Sequence, residues 1–463
     1  MNIWPTYMNL ICNNISRYSS LQGKLAAERL QRRFAVFPQT GTLRLHAIYV
    51  VAGLFMAAPL HAATLSYFGS YQLDYADNLE LASDGGTAGV YHSFRIGAGY
   101  EERSTRLEAN INGSLHHINY PNGVLDDSSS IYLNGDLRWA FVRERLYWVF
   151  ADSLTNQPID PREANIPSNW QQTNVFSTGP QLQYQFDQAN RVQADIRYMN
   201  SWAEESGDFD ADRWFVGGSW IYGSAAATDI SLNATFYDVR FDENGSEHIE
   251  DYNRSSLFAA WERRNGPSSL RFEAGLVGMD FDESSDEYGW HGLVTWSRVI
   301  SSSSSLLLNI RHGLTDSALS IAGDVNPDNI GTSVVSGQAY EVTAVDATYR
   351  YGLSNSVLEL LARYRKQDYV TDALVDRDLI NTTIRWIRFF SGGWSSELSG
   401  RFSWNEYDDG RSDDLTYLYA GMAYQGTRHL TYRLGMDWAS RNSTDPMSEY
   451  DNWGVMFSIR YAR

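Results

Sequence analysis

The chain has 463 residues, a formal net charge of −19 and a mean hydropathy of −0.39, although aromatic residues make up 14% of it. The low hydropathy excludes a membrane protein built from several apolar helices of about 20 residues each. The acidic balance disfavours nucleic acid as a partner. Many aromatic residues at low mean hydropathy are typical of a barrel that is apolar outside and polar inside.

The N-terminal part contains the longest uncharged apolar run of the sequence, from Leu45 to Leu60. Arginines precede this run and small residues follow it, which predicts a secretory signal peptide that is cleaved after Ala62 or Ala63. A single N-terminal membrane anchor is the alternative. Because the leader before the apolar run is unusually long, we expect the natural product to begin after about residue 30.

Cleavage would leave one predicted domain, 63–463, which is more acidic than the precursor. Loss of residues 1–62 lowers the number of basic residues from 37 to 31 and of acidic residues from 56 to 55, a net charge of −24. The only cysteine, Cys12, is removed as well. The mature chain therefore has no thiol for a disulfide, a thiolate-bound metal or nucleophilic catalysis.

From Thr64 onward, apolar and polar side chains alternate in segments of about 10–13 residues, the length and pattern of strands that cross a bilayer. The connections between the segments alternate between short and long, which predicts an all-β, transmembrane antiparallel up-and-down β-barrel of about twenty strands, or eighteen if one pair merges. The predicted strands cover 64–75, 90–100, 105–117, 130–141, 145–154, 174–186, 191–202, 212–222, 229–240, 252–262, 268–280, 287–298, 304–314, 338–350, 356–366, 378–389, 394–405, 415–425, 429–439 and 452–461.

The last strand alternates strictly and reaches an aromatic residue close to the end of the chain. Such a strand must pair with the first strand, because a closed barrel leaves no sheet edge in lipid. We expect the barrel-assembly machinery to insert it in the outer membrane of a Gram-negative bacterium. Its predicted lipid-facing set is Trp453, Val455, Phe457, Ile459 and Tyr461.

The polar faces of the predicted strands carry many arginines with acids between them. A charge facing lipid near the midplane costs about 2–4 kcal/mol, so these side chains are predicted to line the lumen. They could form a surface for anionic or hydroxyl-rich polymers, or a mesh of salt bridges that stiffens the wall. The predicted lumen-lining residues are Arg95, Arg106, Glu108, Asp136, Arg138, Asp195, Arg197, Arg271, Glu273, Arg311, Glu359, Arg363, Arg385, Glu397, Arg401, Arg433 and Asp437.

Two long connections, 155–173 and 315–337, are candidates to fold into the lumen, since long loops in compact proteins are usually functional or disordered. The second is mostly apolar and small. Prolines stiffen the first. Its candidate constriction residues are Pro158, Asp160, Pro161, Arg162 and Trp170.

Signals for enzymatic chemistry are poor, and we predict no catalytic residue, no cofactor and no dedicated metal site. The histidines of 63–463 are isolated except for His116 and His117, and no nucleophile or zinc motif occurs. Acidic runs such as Asp280–Glu287 and 407–414 read as solvated outer loops. They are expected to contact lipopolysaccharide through divalent ions rather than to form an EF-hand.

Two short segments, Tyr75-Ala-Asp-Asn-Leu79 and Asn174-Val-Phe-Ser-Thr-Gly-Pro-Gln-Leu-Gln-Tyr-Gln-Phe186, resemble outer-membrane β-barrel porins encoded in exopolysaccharide gene clusters. The resemblance extends in style over most of 64–461. It implies a wide pore for a secreted polysaccharide, fed by a periplasmic polysaccharide-export protein. The chain departs from the usual terminal aromatic by Ala462 and Arg463.

The leading expectation is thus passage or export of an exopolysaccharide through an arginine-lined aqueous lumen. A general diffusion or nutrient porin is one alternative, and it should show an inward loop that narrows the lumen. A non-conducting surface adhesin or structural barrel is the other, and its lumen should be plugged.

Overall fold

The computed structural model describes residues 63–224, 228–242, 249–323, 335–370 and 376–463. The predicted signal peptide, residues 1–62, lies outside these ranges, as do 324–334 in the middle of the 315–337 connection and 243–248 in one acidic loop. Within the described ranges, twenty antiparallel strands form one sheet in which each strand pairs with its neighbours along the chain.

The strands are 13–16 residues long. They are β1 (Ala63–Ala76), β2 (Gly89–Arg103), β3 (Leu107–Asn119), β4 (Ser128–Val142), β5 (Leu146–Pro158), β6 (Trp170–Gln185), β7 (Asn190–Ala203), β8 (Ala211–Ser224), β9 (Thr228–Phe241), β10 (Tyr252–Asn265), β11 (Ser268–Phe281), β12 (Glu287–Ser301), β13 (Ser304–Asp316), β14 (Ala339–Leu353), β15 (Ser356–Tyr369), β16 (Arg377–Phe389), β17 (Trp394–Tyr407), β18 (Ser412–Gln425), β19 (Leu430–Ser443) and β20 (Tyr450–Ala462).

The sheet closes on itself, because β1 pairs with β2 on one side and with β20 on the other. Nine residue pairs from Phe68↔Ala462 to Ala76↔Gly454 form this seam. The predicted barrel fold and the number of twenty strands are confirmed. Most strands are longer than predicted, since pairing continues past the apolar stretch that marks the bilayer; β6, for example, begins at Trp170 rather than at 174.

The two ends of the barrel differ in the length of their connections. At one end the connections have two to four residues, and at the other they have four to twenty-two. Short turns at one end and long loops at the other are the arrangement of outer-membrane barrels, in which the short turns face the periplasm.

The two faces of the sheet differ in polarity, as strand alternation requires. On β20 the outward set includes Trp453, which is 46% exposed, and Phe457, which is 37% exposed. Asn452, Ser458 and Arg460 alternate with them and point inward. Exposed apolar side chains recur on the outer face of every part of the wall, from Leu65 to Tyr461, which is the surface that lipid would cover.

Short helices occur in the connections. The α-helix is α1 (Ser317–Gly323), and single 3-10 turns lie at Pro167–Asn169, Gly207–Phe209, Ser391–Gly393 and Pro446–Ser448. In the described part of the chain, none of these helices is long and apolar enough to cross a membrane, a criterion that does not concern strands.

The first outer loop stabilises the barrel seam, where β1 pairs with β20, through hydrogen bonds. Asp77 accepts a hydrogen bond from the backbone N–H of Trp453 at 2.7 Å. Asn78, which is 1% exposed, donates from its side chain to the carbonyls of Ala82 at 2.8 Å and Asp451 at 3.1 Å. The Tyr75–Leu79 segment therefore links β1 to β20 beyond the end of their paired region.

Asn78→Ala should lower the free energy of unfolding by about 1–3 kcal/mol, because the buried side chain of Asn78 and its hydrogen bonds to the backbone of Ala82 and Asp451 are lost. Guanidinium unfolding in detergent, followed by tryptophan fluorescence, measures this. Asn122→Ala is the matched control, since Asn122 is exposed and should change stability by less than about 0.5 kcal/mol. Equal effects of the two substitutions would refute the role of Asn78.

Candidate transport lumen and its two inward loops

The inward face of the wall carries many ion pairs, most of them between neighbouring strands. Arg138 lies 3.5 Å from Glu108, Arg363 lies 2.6 Å from Asp346, and Arg385 lies 2.7 Å from Glu397. Arg271 bridges Glu273 at 2.5 Å and Glu262 at 3.5 Å. Such pairs satisfy charges on a partly enclosed surface and favour one strand register.

The strand register places sixteen of the seventeen predicted lumen-lining residues on this polar, inward face. Arg106 is the exception, because β3 begins at Leu107 and Arg106 lies in the turn that precedes it. Arg197 pairs with Asp195 on its own strand at 3.1 Å, and Arg350 and Arg385 share Glu359. Whether these side chains contact a passing solute stays a prediction.

The connection between β5 and β6, which we call loop A (159–169), is held in shape by Asn169. The amide of Asn169 donates to the carbonyls of Asp160 at 2.8 Å and Ala164 at 3.2 Å, and its oxygen accepts from the N–H of Asp160 at 3.0 Å. Pro167 begins the 3-10 turn that leads into β6. Loop A therefore has a defined conformation of its own.

Loop A extends across the long-loop end of the barrel to the opposite wall. The carbonyl of Arg162 accepts hydrogen bonds from the guanidinium groups of Arg411 and Arg441, both at 2.6 Å, and the carbonyl of Glu163 accepts from Arg441 at 3.1 Å. Arg411 precedes β18 and Arg441 lies on β19, and five strands separate β19 from β5 by the shorter way around the barrel.

Asp413 is the centre of this anchor, which we call the latch (Arg411, Asp413 and Arg441). Its side chain is fully buried and accepts from Arg441 at 2.6 Å, from Arg411 at 3.2 Å and from Ser443 at 2.5 Å. Each latch arginine thus joins one carboxylate on its own wall to the backbone of loop A. Arg441, only 3% exposed, is sealed from water by these contacts.

Asp160 and Arg162 fix the tip of loop A. Arg162 donates to both oxygens of Asp160, at 3.2 and 3.1 Å, and its backbone N–H donates to the same carboxylate at 2.8 Å. Burial alone would raise the pKa of Asp160, but these hydrogen bonds outweigh it and lower that pKa. The contribution of this pair to stability is therefore full above pH about 4 and is lost as the pH falls through the lowered value.

A second connection, that between β13 and β14, also folds inward where it is described. Ala318 and Ile321 of α1 are buried against Val175 on β6, Met199 on β7 and Phe209 in the turn that follows. Five strands lie between β7 and β13, so α1 packs on a distant part of the wall. Apolar side chains on the inward face of β6 and β7 are explained by this contact.

Asp316, at the end of β13, ties the base of α1 to two further strands. One carboxylate oxygen lies 3.5 Å from the guanidinium of Arg213 on β8 and accepts the hydroxyl of Tyr252 on β10. The other oxygen accepts the backbone N–H of Leu319 at 2.7 Å and so caps α1. Asp316 and Arg213 are 0% and 1% exposed, so each charge depends on the other.

The backbone also approaches closely at the end of this connection. A Cβ atom at Gly337 would lie 2.3 Å from the carbonyl oxygen of Asp208 and 2.5 Å from the ring of Phe241. Only glycine fits there without a shift of the neighbouring backbone. The described part of the connection is therefore packed against the wall at both ends.

The structure sorts the candidate constriction residues into two groups. Asp160, Pro161 and Arg162 lie in loop A, whereas Pro158 ends β5 and Trp170 begins β6. Trp170 and Pro158 are paired strand residues rather than parts of the crossing segment. Whether loop A limits the passage of a solute stays a prediction.

The sequence reading missed the anchors on the opposite wall. Asp413 was expected in a solvated acidic loop, 407–414, and that expectation is wrong, because Asp413 is on β18 and fully buried. A role for its two arginine neighbours, Arg411 and Arg441, was only weakly indicated by the sequence, in which they are charged residues at the ends of adjacent strands. Nothing in the sequence indicates that both contact Arg162, which lies 249 residues from Arg411 and 279 residues from Arg441.

The adjacent pair His116 and His117 forms no hydroxyl–imidazole–carboxylate group with the described residues. Nε2 of His116 lies 2.7 Å from the hydroxyl of Ser93, but no described residue hydrogen-bonds the other ring nitrogen, as an orienting carboxylate would. His117 contacts Ser129 at 2.9 Å. The described ranges also hold no group of three or more histidines, cysteines and acids that could share a metal ion.

Comparisons with known proteins return solved outer-membrane barrels. The chain matches no known protein family and no curated protein. The siderophore receptor PirA from Pseudomonas aeruginosa is 10% identical with a TM-score of 0.41, covering 86% of this chain and 80% of that chain. The FrpB iron transporter from Neisseria meningitidis is 8% identical with a TM-score of 0.43, covering 87% and 83%. The outer membrane protein opdK from Pseudomonas aeruginosa is 10% identical with a TM-score of 0.36, covering 86% and 99%. At these identities and TM-scores the likeness carries no argument about function.

Proposed function

We propose that this protein is an outer-membrane channel whose lumen is narrowed by two loops fastened to the opposite wall. A closed barrel with an apolar outer face and charged inner face fits the outer membrane of a Gram-negative bacterium. The observation that carries the proposal is the latch, which holds loop A across the long-loop end by three hydrogen bonds to its backbone.

This arrangement supports a solute-selective porin better than an open conduit. A wide polymer exporter has no need of a loop fixed over its lumen, whereas a narrowed lumen selects solutes by size and charge. Loop A and α1 reach the wall from different sides, and both use buried charged contacts to do so. Those contacts fix both loops to the wall.

Passage of an exopolysaccharide is the second candidate, and one feature favours it. The anchors of loop A are hydrogen bonds to its backbone carbonyls, which the hydroxyl groups of a polymer can replace. A polymer exporter with a closed resting state would need such displaceable anchors to prevent leakage. A periplasmic polysaccharide-export protein would then be the partner, and lipopolysaccharide would surround the acidic outer loops.

Single-channel recording tests these candidates. Protein purified from the outer membrane of an expressing bacterium should give stable conductance steps in planar bilayers, after heat-modifiable migration has shown that it is folded. Block by sugars of a few residues, with no added effect of longer chains, supports the selective porin. Blocking events whose duration increases with the length of the polymer support the exporter. A folded barrel that does not conduct would refute both channel candidates and favour the non-conducting surface adhesin.

A further inference from the structure

We infer that the inner wall from β19 to β2 holds a binding site for carboxylate-bearing saccharides, built from Arg95, Arg433 and Arg460, which we call the arginine stripe. The inference rests on the proposed channel and names the class of solute that it takes. Arg433 lies on β19, Arg460 on β20 and Arg95 on β2, so the stripe continues across the barrel seam.

The strand register places these arginines close together on the inward face. Arg460 is paired with Ser70 on β1, and Ser70 is paired with Arg95 on β2, so the Cα atoms of the two arginines are about 10 Å apart. Arg433 is paired with Ser458, one inward position from Arg460. The charges of Arg433 and Arg95 both act on that of Arg460, as expected for neighbours that repel one another.

All three side chains point inward and are nevertheless exposed. They therefore face water inside the barrel. Some inward arginines on other strands are covered instead: Arg213 on β8 is 1% exposed and Arg363 on β15 is 4% exposed.

No described carboxylate pairs with any arginine of the stripe, in contrast to Arg138, Arg271 and Arg385. In a protein with 55 acidic residues between 63 and 463, three neighbouring arginines without an ion-pair partner among the described residues form a local excess of positive charge. Repulsion among them is relieved when an anion binds between them. Arg138, Arg271 and Arg385 are already neutralised by acids and offer no such gain.

Aromatic rings support two of these guanidinium groups without using their donors. Arg460 lies 4.5 Å over the ring of Phe68, and Arg95 lies 5.2 Å over the ring of Tyr132. Arg95 donates one hydrogen bond, from Nε to Ser114 at 3.2 Å. Stacking holds the guanidinium plane while most of its N–H groups stay free for a ligand, and the planar fork matches a carboxylate.

A tyrosine beside the stripe favours a saccharide over a simple anion. Tyr419 lies on the inward face of β18, and its ring is close to Gly435, where a Cβ atom would lie 2.6 Å from that ring. Gly435 is the inward neighbour of Arg433 on β19. Tyrosine offers both a ring face and a hydroxyl to a sugar ring, so a sugar whose carboxylate binds Arg433 can pack beside Tyr419.

The test compares block of single-channel current by a galacturonate hexamer with block by the neutral maltohexaose and by inorganic phosphate. The test variant changes the three stripe arginines to glutamine. The control variant changes Arg143, Arg263 and Arg298 to glutamine; these are exposed, lie in a turn or on the outward face at the short-turn end, and form no ion pair with a described residue. Both variants have the same net charge.

The half-blocking concentration of the galacturonate hexamer should rise at least about 10-fold in the stripe variant, the combined loss of several weak exposed contacts. It should change less than about 3-fold in the control. Equal shifts in both variants, or block of the unmodified channel by phosphate at the same concentration as by the hexamer, would overturn the site. A channel that conducts but ignores the hexamer refutes the stripe alone, whereas absent conductance refutes the channel.

Discussion

Asp316→Ala is expected to lower the free energy of unfolding by about 3–5 kcal/mol. The substitution leaves Arg213 buried without its carboxylate and removes the acceptor of the Tyr252 hydroxyl and of the Leu319 N–H. Guanidinium unfolding in detergent measures the loss. Single-channel conductance should rise as well, because α1 would no longer be fixed to β8 and β10.

Asp136→Ala is the matched control for this substitution. Asp136 also points inward, but it is exposed and pairs with no described cation, so its loss should change stability by less than about 0.5 kcal/mol. Asp316→Asn keeps one oxygen acceptor without the charge and should fall between the two. If Asp316→Ala were as stable as Asp136→Ala, the buried pair would not hold α1.

Arg441→Ala is expected to free loop A and to raise the single-channel conductance markedly. The guanidinium of Arg441 makes two of the three hydrogen bonds from the opposite wall to the loop backbone, and it also neutralises the fully buried Asp413. Loss of one partner of a buried pair costs about 3–5 kcal/mol. This is enough to shift the loop from mostly anchored to mostly free.

Limited trypsin digestion gives an independent measure of the same release. Cleavage after Arg162 should be faster in Arg441→Ala, because an anchored backbone resists the protease. Arg191→Ala removes an exposed arginine whose pair with Asp229, at 3.2 Å, lies at the other end of the barrel, and it should alter neither readout. Unchanged conductance and cleavage in a correctly folded Arg441→Ala barrel would show that the latch does not hold loop A.

The strand pattern could be predicted because lipid and water impose it residue by residue. Outward side chains such as Trp453 and Phe457 must be apolar, and the residues between them must not face lipid. The sequence of each strand therefore shows the alternation by itself. Pairing of β20 with β1 follows, since an open edge would be costly in lipid. The positions of strand ends were less certain, because pairing past the bilayer no longer needs the alternation.

The same alternation predicts that the inward faces are polar, but it does not predict which charged side chains form ion pairs. Arg271 and Arg401 look alike in the sequence, yet one bridges two acids and the other meets none among the described residues. The difference depends on which residue the next strand places opposite, and that register was uncertain by one or two positions. Arg460 was overlooked as a lumen residue although its strand was recognised.

The sequence by itself determined the closed barrel of about twenty strands, the polar lumen and the two connections long enough to enter it. Only the tertiary structure decided where those connections go, because their partners lie far away along the chain. Arg162 and Arg441 are 279 residues apart, and Arg213 and Asp316 are 103 residues apart. No local periodicity encodes such contacts; they exist because closure of the barrel brings opposite walls within reach of one loop.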